Sequence, residues 1–156
     1  MNRLGLSEWA SIAEVIGAAA VVLSLVYVGI QVRENTEEIR AANRQQLVAR
    51  SHTATLGVST SPELAGAVAK VINGERLSAA EQVQYGYFVR AMLYDIQEAY
   101  LLHQEGRLDD DYWETREAIF RAYMAQEPAR AIFERDKSLD VLHDDFIGWA
   151  EQTIFK

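Results

Sequence analysis

The chain has 156 residues, the length of one domain or of a membrane span followed by a domain of roughly 100 to 120 residues. It contains no cysteine, which excludes disulfides, thiolate catalysis and cysteine metal sites. Five arginines balance five glutamates in residues 1–60, so the net charge of −8 belongs to residues 61–156. An acidic domain repels phosphate backbones, and we therefore expect no nucleic-acid partner.

An uncharged stretch near the N-terminus is the most distinctive part of the sequence. The 18 residues Val15–Val32 carry no charge and are mostly aliphatic. A helix rising about 1.5 Å per residue needs about 20 residues to cross a bilayer, and counting from Trp9 reaches that length with Glu14 inside the first turns. The sequence therefore predicts a short tail and a transmembrane helix over residues 1–32, with the lipid bilayer as partner.

A cleaved signal peptide is the alternative interpretation of this stretch. Signal peptides have a basic start, a shorter apolar core and a small-residue cleavage site. Here Arg3 is opposed by Glu8, and the residues after Val32 are bulky and charged. The pattern favours a retained span.

The helix is expected to continue beyond the membrane. Arg33–Leu56 contains no glycine or proline and is rich in glutamate, arginine, glutamine and alanine, which favour helix. We predict one long helix from about residue 8 that ends before Gly57, with residues 33–60 as a stalk. Residues 61–156 follow as an acidic helical domain.

Capping residues divide this domain into smaller helices. Ser61 and Pro62 open a helix that Gly74 closes, and the capping box Ser78-x-x-Glu81 opens a strongly amphipathic helix over about 79–104 that ends at Gly106. No alternating strand pattern is present, so the predicted fold is all-α, a small helical bundle after the long helix. On the helix over 79–104 we expect a buried stripe of Val83, Tyr87, Val89, Met92, Leu93, Ile96, Ala99, Tyr100 and Leu102.

The second half of the domain is also predicted to be helical. Three acids, Asp109–Asp111, begin the next helix and are explained as capping its positive end. Pro128 starts a short helix over 129–136. Ser138 is expected to cap the last helix, with Leu139 and Phe146 on its buried side.

Positively charged residues beside the span predict its orientation. Four arginines, at positions 33, 40, 44 and 50, follow the span within 20 residues, whereas Arg3 alone precedes it. Basic residues stay on the cytoplasmic side. We expect a single-pass protein of a bacterial inner membrane, with the C-terminal domain in the cytoplasm.

The span carries a predicted helix-association face. Small residues recur at alternating spacings of three and four and form one stripe that lets helix backbones approach closely: Ala10, Ala13, Gly17, Ala20 and Ser24. We expect this stripe to dock another membrane protein or a second copy. Glu14 is an intramembrane acid, and it is either a functional site or a carboxylate that reaches the headgroups near Trp9.

No enzyme signature is found in the sequence. The three histidines lack the spacings of zinc or di-iron sites, and nucleotide-binding loops are absent, so we expect no enzymatic activity, no cofactor and no resident metal. Asp95 and Glu98, with His103 and Glu105, are an alternative partial metal site. The preferred interpretation places Arg90, Asp95 and Glu98 at a helix junction, with one or two of them in a buried ion pair.

Three motifs together resemble a family of uncharacterised bacterial proteins. They are the segment LVYVGIQVRENTEEIRAA (Leu25–Ala42), a middle helix with Arg90, Glu98 and Tyr100, and the G-x-L-D sequence that leads to Trp113. The resemblance implies a single-span membrane protein with a small C-terminal helical domain, and it implies no activity.

These features predict a non-enzymatic, membrane-anchored helical protein that acts as an accessory subunit, scaffold or adaptor of a membrane complex. A homo-oligomeric channel or transport component containing Glu14 is the first alternative. A soluble oligomer that buries the apolar stretch between subunits is another, and an enzyme with an unrecognised metal or acid–base site is a further one.

Overall fold

The computed structural model of the protein describes residues 6–154, and it describes side chains over residues 9–153. The described residues form six α-helices and no strand, which confirms the predicted all-α fold with a long N-terminal helix followed by smaller ones. The helices are α1 (Leu6–Thr60), α2 (Pro62–Ile72), α3 (Ala79–Gln104), α4 (Asp110–Met124), α5 (Glu127–Ser138) and α6 (Asp144–Ile154).

The chain divides into two compact units, which we call the N-terminal unit (residues 1–39) and the C-terminal unit (residues 40–156). α1 contributes residues to both. Its residues 40–60 belong to the C-terminal unit, where Leu47 is buried at 1% exposure. The limits 1–32, 33–60 and 61–156 drawn from the sequence stay a prediction.

α1 continues further than the sequence predicted. It includes Gly57 and ends at Thr60 instead of before the glycine. One glycine inside a helix costs only about 1 kcal/mol, so it does not stop a long helix. The proline ring of Pro62 disfavours helical dihedrals in the residue before it, and Ser61 is extended at φ −113° and ψ 102°.

The predicted caps of α2 and α3 are confirmed. The backbone N–H of Leu64 donates to the Ser61 hydroxyl, and both bonds of the Ser78–Glu81 capping box are present. Gly74 and Gly106 follow the two helices with φ values of +71° and +69°, a left-handed conformation that glycine adopts without steric cost. Local sequence therefore determines where these helices begin and end.

The three acids Asp109–Asp111 lie at the start of α4, as predicted. Asp109 is the N-cap residue, yet its carboxylate makes no capping hydrogen bond. It accepts a hydrogen bond from Arg44 at 3.0 Å instead. Asp110 and Asp111 lie in the first turn, where negative charge is stabilised by the helix dipole.

The boundary between α5 and α6 also differs from the prediction. Ser138 is the last residue of α5, and α6 begins only at Asp144. Asp140 takes a left-handed φ of 56°, and the next N–H, of Val141, donates to the Asp136 carbonyl, which closes the helix. Leu139, expected on a buried side, is 56% exposed.

The core of the C-terminal unit is built around α3, which packs against α2, α4, α5 and α6. Three phenylalanines are fully buried there: Phe120, Phe133 and Phe146. Most of the predicted α3 stripe is buried, but Val83 and Tyr87 are 58% and 67% exposed, and Tyr85 is buried in their place. Tyr85 lies four residues before Val89, so it shares the buried face of the helix.

Candidate functional site

The predicted helix-association residues all lie on α1 in the N-terminal unit, and all are exposed: Ala10, Ala13, Gly17, Ala20 and Ser24. A Cβ atom added at Gly17 would meet nothing within 4 Å. Large aliphatic side chains of the same segment are exposed as well, with Val15 and Leu23 both at 69%. Among the described residues, this helix has the length and apolarity of a membrane span, and none of its most apolar window is buried.

Polar groups of this segment bond within the helix. The Ser24 hydroxyl donates to the Ala20 carbonyl at 2.8 Å. The Gln31 amide donates to the Tyr27 hydroxyl at 3.0 Å. Glu14 lies five residues after Trp9, and its side chain is exposed. Internal hydrogen bonds of this kind lower the cost of placing polar groups in an apolar medium.

One buried ion pair joins α3 to α5. Arg90 donates two hydrogen bonds to the Asp136 carboxylate, at 2.7 and 2.6 Å, and Asp136 is fully buried. The hydrogen bond to Asp136 raises the pKa of Arg90. This bidentate geometry is the strongest form of an arginine–carboxylate pair, so it fixes the two helices against each other.

A second buried pair joins α3 to α4. Arg116 lies 3.1 Å from the Asp95 carboxylate, and the two side chains are only 5% and 7% exposed. Ser51 donates to the same carboxylate oxygen at 3.1 Å, and Arg116 also donates to the Leu47 carbonyl at 3.2 Å and to the Tyr112 hydroxyl. Burial raises the pKa of Asp95, against the opposing effect of Arg116.

These contacts confirm the preferred interpretation of the polar residues on α3. Arg90 and Asp95 each form a buried ion pair, whereas Glu98 is exposed. His103 was also part of the alternative metal site. Its Nε2 atom lies 3.0 Å from the Asp110 carboxylate, and its ring stacks on Trp113. No group of three potential metal ligands occurs within the described part of the chain.

Sequence reasoning missed the partners of both pairs. Asp136 follows Phe133 and Ala129 at helical spacing, and Arg116 lies between Trp113 and Phe120 in the same way. A charged residue at helical spacing from apolar core residues indicates that the charge is buried. This spacing shows on which helix face the charge lies, but it does not show which opposite charge pairs with it.

A cleft of about 720 Å³ opens beside α3 in the C-terminal unit, and we call it the α3–α5 cleft. The residues that follow α2, the start of α3 and the first turns of α5 form its walls. Its volume falls in the range of about 300–1,000 Å³ that is typical of small-molecule sites. No sequence feature pointed to it, because its walls come from three separate segments.

Comparison with family models, with curated proteins and with solved structures returned no match for this chain. The resemblance to uncharacterised single-span bacterial proteins stays a prediction. The proposed function therefore depends on the exposure and the contacts of the described residues.

Proposed function

We propose that this protein is a non-enzymatic, membrane-anchored helical protein that serves as an accessory subunit, scaffold or adaptor of a membrane complex. The observation that carries this proposal is the exposed aliphatic surface of α1. Valine, leucine and isoleucine side chains from Val15 to Val32 are all at least half exposed. Exposing this much apolar surface to water is unfavourable, so we expect lipid or another protein to cover it.

A lipid bilayer explains this exposed surface better than a soluble protein partner does. A helix that docks on a soluble partner through one face carries polar residues on the other face. The segment between Glu14 and Arg33 has no charged residue on any face, and its mean hydropathy over 18 residues reaches 2.3. Lipid surrounds a helix on all sides, which explains why every face is apolar.

The proposed location is a bacterial inner membrane, with the C-terminal unit in the cytoplasm. The arginines at positions 33, 40, 44 and 50 support this orientation through the positive-inside rule. The charged groups inside the C-terminal unit pair with one another, as Arg90 does with Asp136. This use of buried charge supports a structural domain rather than a catalytic one.

Membrane insertion is tested by fractionation of cells that express the chain. We expect the protein in the membrane pellet after washing at high pH, and its release only by detergent. Recovery in the soluble fraction would contradict the proposal. As a matched comparison, Leu23→Glu and Val26→Glu together should move the protein to the soluble fraction or to aggregates, whereas Leu56→Glu on the C-terminal unit should not.

Orientation is tested by cysteine labelling. Because the chain contains no cysteine, a single substitution gives a signal without background. We expect Glu134→Cys to react with a membrane-impermeant maleimide only after the inner membrane is opened. Asn2→Cys should react in intact spheroplasts. The reverse pattern would contradict the cytoplasmic assignment.

Lateral association is tested on the small-residue face. Gly17→Leu with Ala20→Leu should reduce recovery of copurifying membrane proteins in mild detergent, because bulky side chains keep the backbones apart. Ala18→Leu with Ala19→Leu places the same side chains off this stripe and is the control. Equal recovery from both variants would contradict the association face.

A homo-oligomeric channel or transport component is the second candidate. The polar residues Ser24, Tyr27 and Gln31 continue the alternating spacing of Gly17 and Ala20, so one stripe of the helix is the more polar one. Several copies packed around that stripe would line a pathway near Glu14. Native mass spectrometry distinguishes the two candidates, since the channel predicts a ring of identical copies and the accessory role predicts a larger heteromeric complex.

A further inference from the structure

The turn between α2 and α3 contains the dipeptide Asn73–Gly74. The chain has four asparagines, at positions 2, 35, 43 and 73, and Asn73 is the one that precedes a glycine. Asn73 is the C-cap residue of α2, so it lies just beyond the last helical turn, and both it and Gly74 are exposed. Asn35 and Asn43 lie inside α1 instead. Asn73 therefore differs from these two asparagines both in its neighbour and in its backbone.

The backbone nitrogen of Gly74 is open to approach by the Asn73 side chain. Glycine has no Cβ atom to shield it, and a Cβ atom added at Gly74 would meet nothing within 4 Å, so the surrounding space is open too. The Asn73 amide donates to the Glu75 carboxylate at 3.3 Å, which is long for a hydrogen bond, so the side chain is weakly held. Joining the Gly74 nitrogen to Cγ of Asn73 closes a succinimide ring.

Two backbone hydrogen bonds control this ring closure. The N–H of Gly74 donates to the Val71 carbonyl at 3.1 Å, and the N–H of Glu75 donates to the Lys70 carbonyl at 2.8 Å. They are the Schellman pair that closes α2, and they accompany a ψ of 0° at Asn73, which turns the Gly74 nitrogen away from the side chain. The ring forms only after rotation about ψ breaks both bonds. Such opening is easier at an exposed helix end than in a helix interior.

We propose that Asn73–Gly74 is a site of spontaneous chemical modification, at which Asn73 loses its side-chain amide. When the cap opens, the Gly74 nitrogen attacks Cγ of Asn73 and gives its proton to water or hydroxide. The bond from Cγ to Nδ2 then breaks, and ammonia leaves with a proton taken from water. A further water opens the ring at either carbonyl, which gives aspartate or isoaspartate. The net change is one water consumed and one ammonia released.

The modification weakens the end of α2. A carboxylate at position 73 lies at the negative end of the helix dipole and close to the Glu75 carboxylate, and both effects are unfavourable. Isoaspartate also adds a methylene group to the backbone, which changes the spacing of the two capping bonds. Lys70, whose carbonyl accepts one of these bonds, pairs with Glu81 at 2.7 Å and so links α2 to α3. The product therefore loosens the junction of these two helices.

The modification is tested by peptide mapping with mass spectrometry, after the full-length protein is incubated in mild detergent at mildly alkaline pH. Asn73 should lose its amide about tenfold faster than Asn35 or Asn43, since a helix end opens more readily than a helix interior. Its peptide should separate into two acidic products of equal mass, because water opens the ring on either side. Equal loss at the three asparagines, or aspartate as the sole product, overturns the proposal.

Two further measurements assign the reaction to the cap of α2. Asn73→Gln is the matched variant, because its longer side chain closes a ring much more slowly, so the loss in this peptide should disappear. In urea the two capping bonds are absent, and the loss at Asn73 in the unchanged chain should become faster. Loss that persists in Asn73→Gln, or a rate that urea leaves unchanged, overturns the assignment.

Asn73→Asp carries the aspartate product from the start and tests its consequence. We expect this variant to lower the urea concentration at which the C-terminal unit unfolds. Asn35→Asp is the control, because Asn35 is exposed in the N-terminal unit and should leave that concentration unchanged. If the two variants unfold at the same urea concentration, the product does not weaken α2, and this part of the proposal is overturned.

The modification site lies within the C-terminal unit, so the inference does not depend on membrane insertion. If fractionation shows a soluble protein, the same incubation is run in buffer without detergent. Failure of the span and failure of the modification site are then separate results.

Discussion

The two units of the molecule treat the same residue type in opposite ways. Leu23 in the N-terminal unit is 69% exposed, whereas Leu93 in the C-terminal unit is 1% exposed. In the C-terminal unit, apolar side chains are covered by other helices around α3. In the N-terminal unit, the described apolar side chains have no such cover. The polypeptide supplies its own apolar environment in one unit and requires an external one in the other.

Polar groups follow the same division. Ser24 and Gln31 bond to groups four residues away in their own helix. Arg90 and Asp136 are 46 residues apart in the chain and join two helices. Local bonds stabilise a single helix in any medium, whereas long-range pairs require a folded domain. The stability of the C-terminal unit therefore depends on specific contacts that substitutions can remove.

The largest expected effect is on the buried pair of the C-terminal unit. Arg90→Met leaves the fully buried Asp136 carboxylate without its partner, and we expect it to reduce the free energy of unfolding by about 3–5 kcal/mol. Urea unfolding followed by tryptophan fluorescence measures this change.

The double variant Arg90→Met with Asp136→Leu provides the control. Replacing both charges with apolar groups removes the unpaired carboxylate, so much of the lost stability should return. A double variant as unstable as the single one would show that the shape of the pair, rather than its charge, holds α3 against α5.

A matched truncation compares the units directly. Leu93→Ala should destabilise the C-terminal unit by about 2–5 kcal/mol, because it leaves a cavity in a packed core. Leu23→Ala removes the same atoms from an exposed position in the N-terminal unit, and it should leave urea unfolding of the C-terminal unit unchanged. A similar loss in both variants would mean that the aliphatic surface of α1 packs against protein.

The capping box of α3 has an intermediate expected effect. Ser78→Ala should cost about 0.5–2 kcal/mol of stability, because the N–H of Glu81 loses its acceptor. Ser138→Ala is the control, since that hydroxyl only donates to the Arg135 carbonyl near the end of α5. Urea unfolding of both variants at neutral pH measures the difference.

The same box predicts a pH dependence. Hydrogen bonds from Lys70 and Ser78 lower the pKa of Glu81 from its ordinary value of 4.5 to about 2. A carboxyl whose pKa is lower in the folded state adds stability above the unfolded value, and this stability is lost as the pH falls from about 4.5 to about 2. Glu81→Gln should therefore make unfolding less sensitive to pH in that range, and an unchanged acid titration would contradict this assignment.

The smallest effect is expected for the exposed pair between α1 and the start of α4. The side chains of Arg44 and Asp109 are 50% and 36% exposed. Arg44→Gln should cost less than about 1 kcal/mol, and less again at high salt, because exposed ion pairs are screened. A larger loss in urea unfolding would show that this pair, and not buried Leu47, holds residues 40–60 in the C-terminal unit.

Local signals in the sequence were enough to predict the all-α fold and most helix ends. Ser61 with Pro62, and Ser78 with Glu81, act within one turn of the chain, and the structure places α2 and α3 where these signals predicted. Asp140 gave no such signal, because aspartate rarely adopts the left-handed conformation that ends α5. The boundary before α6 was misplaced for that reason.

The remaining errors concern contacts between helices. The pattern of α3 showed a broad apolar surface, but packing against α2 and α4 decides that Tyr85 is buried and Tyr87 exposed. The pairing of Asp95 with Arg116, 21 positions later, likewise follows from tertiary structure. The α3–α5 cleft has no local signal at all. The predicted association face lies on one helix, so its residues were identified from spacing alone.

The left-handed Asp140 makes the end of α5 a position for protein engineering. Gly74 and Gly106 stand at the equivalent positions after α2 and α3. Asp140→Gly would relieve the backbone strain of an L-residue in this conformation, a gain of up to about 1 kcal/mol that is partly offset by the greater freedom of glycine in the unfolded chain. The site lies outside both the span and the cleft. Such a variant would be a more robust starting protein for crystallisation.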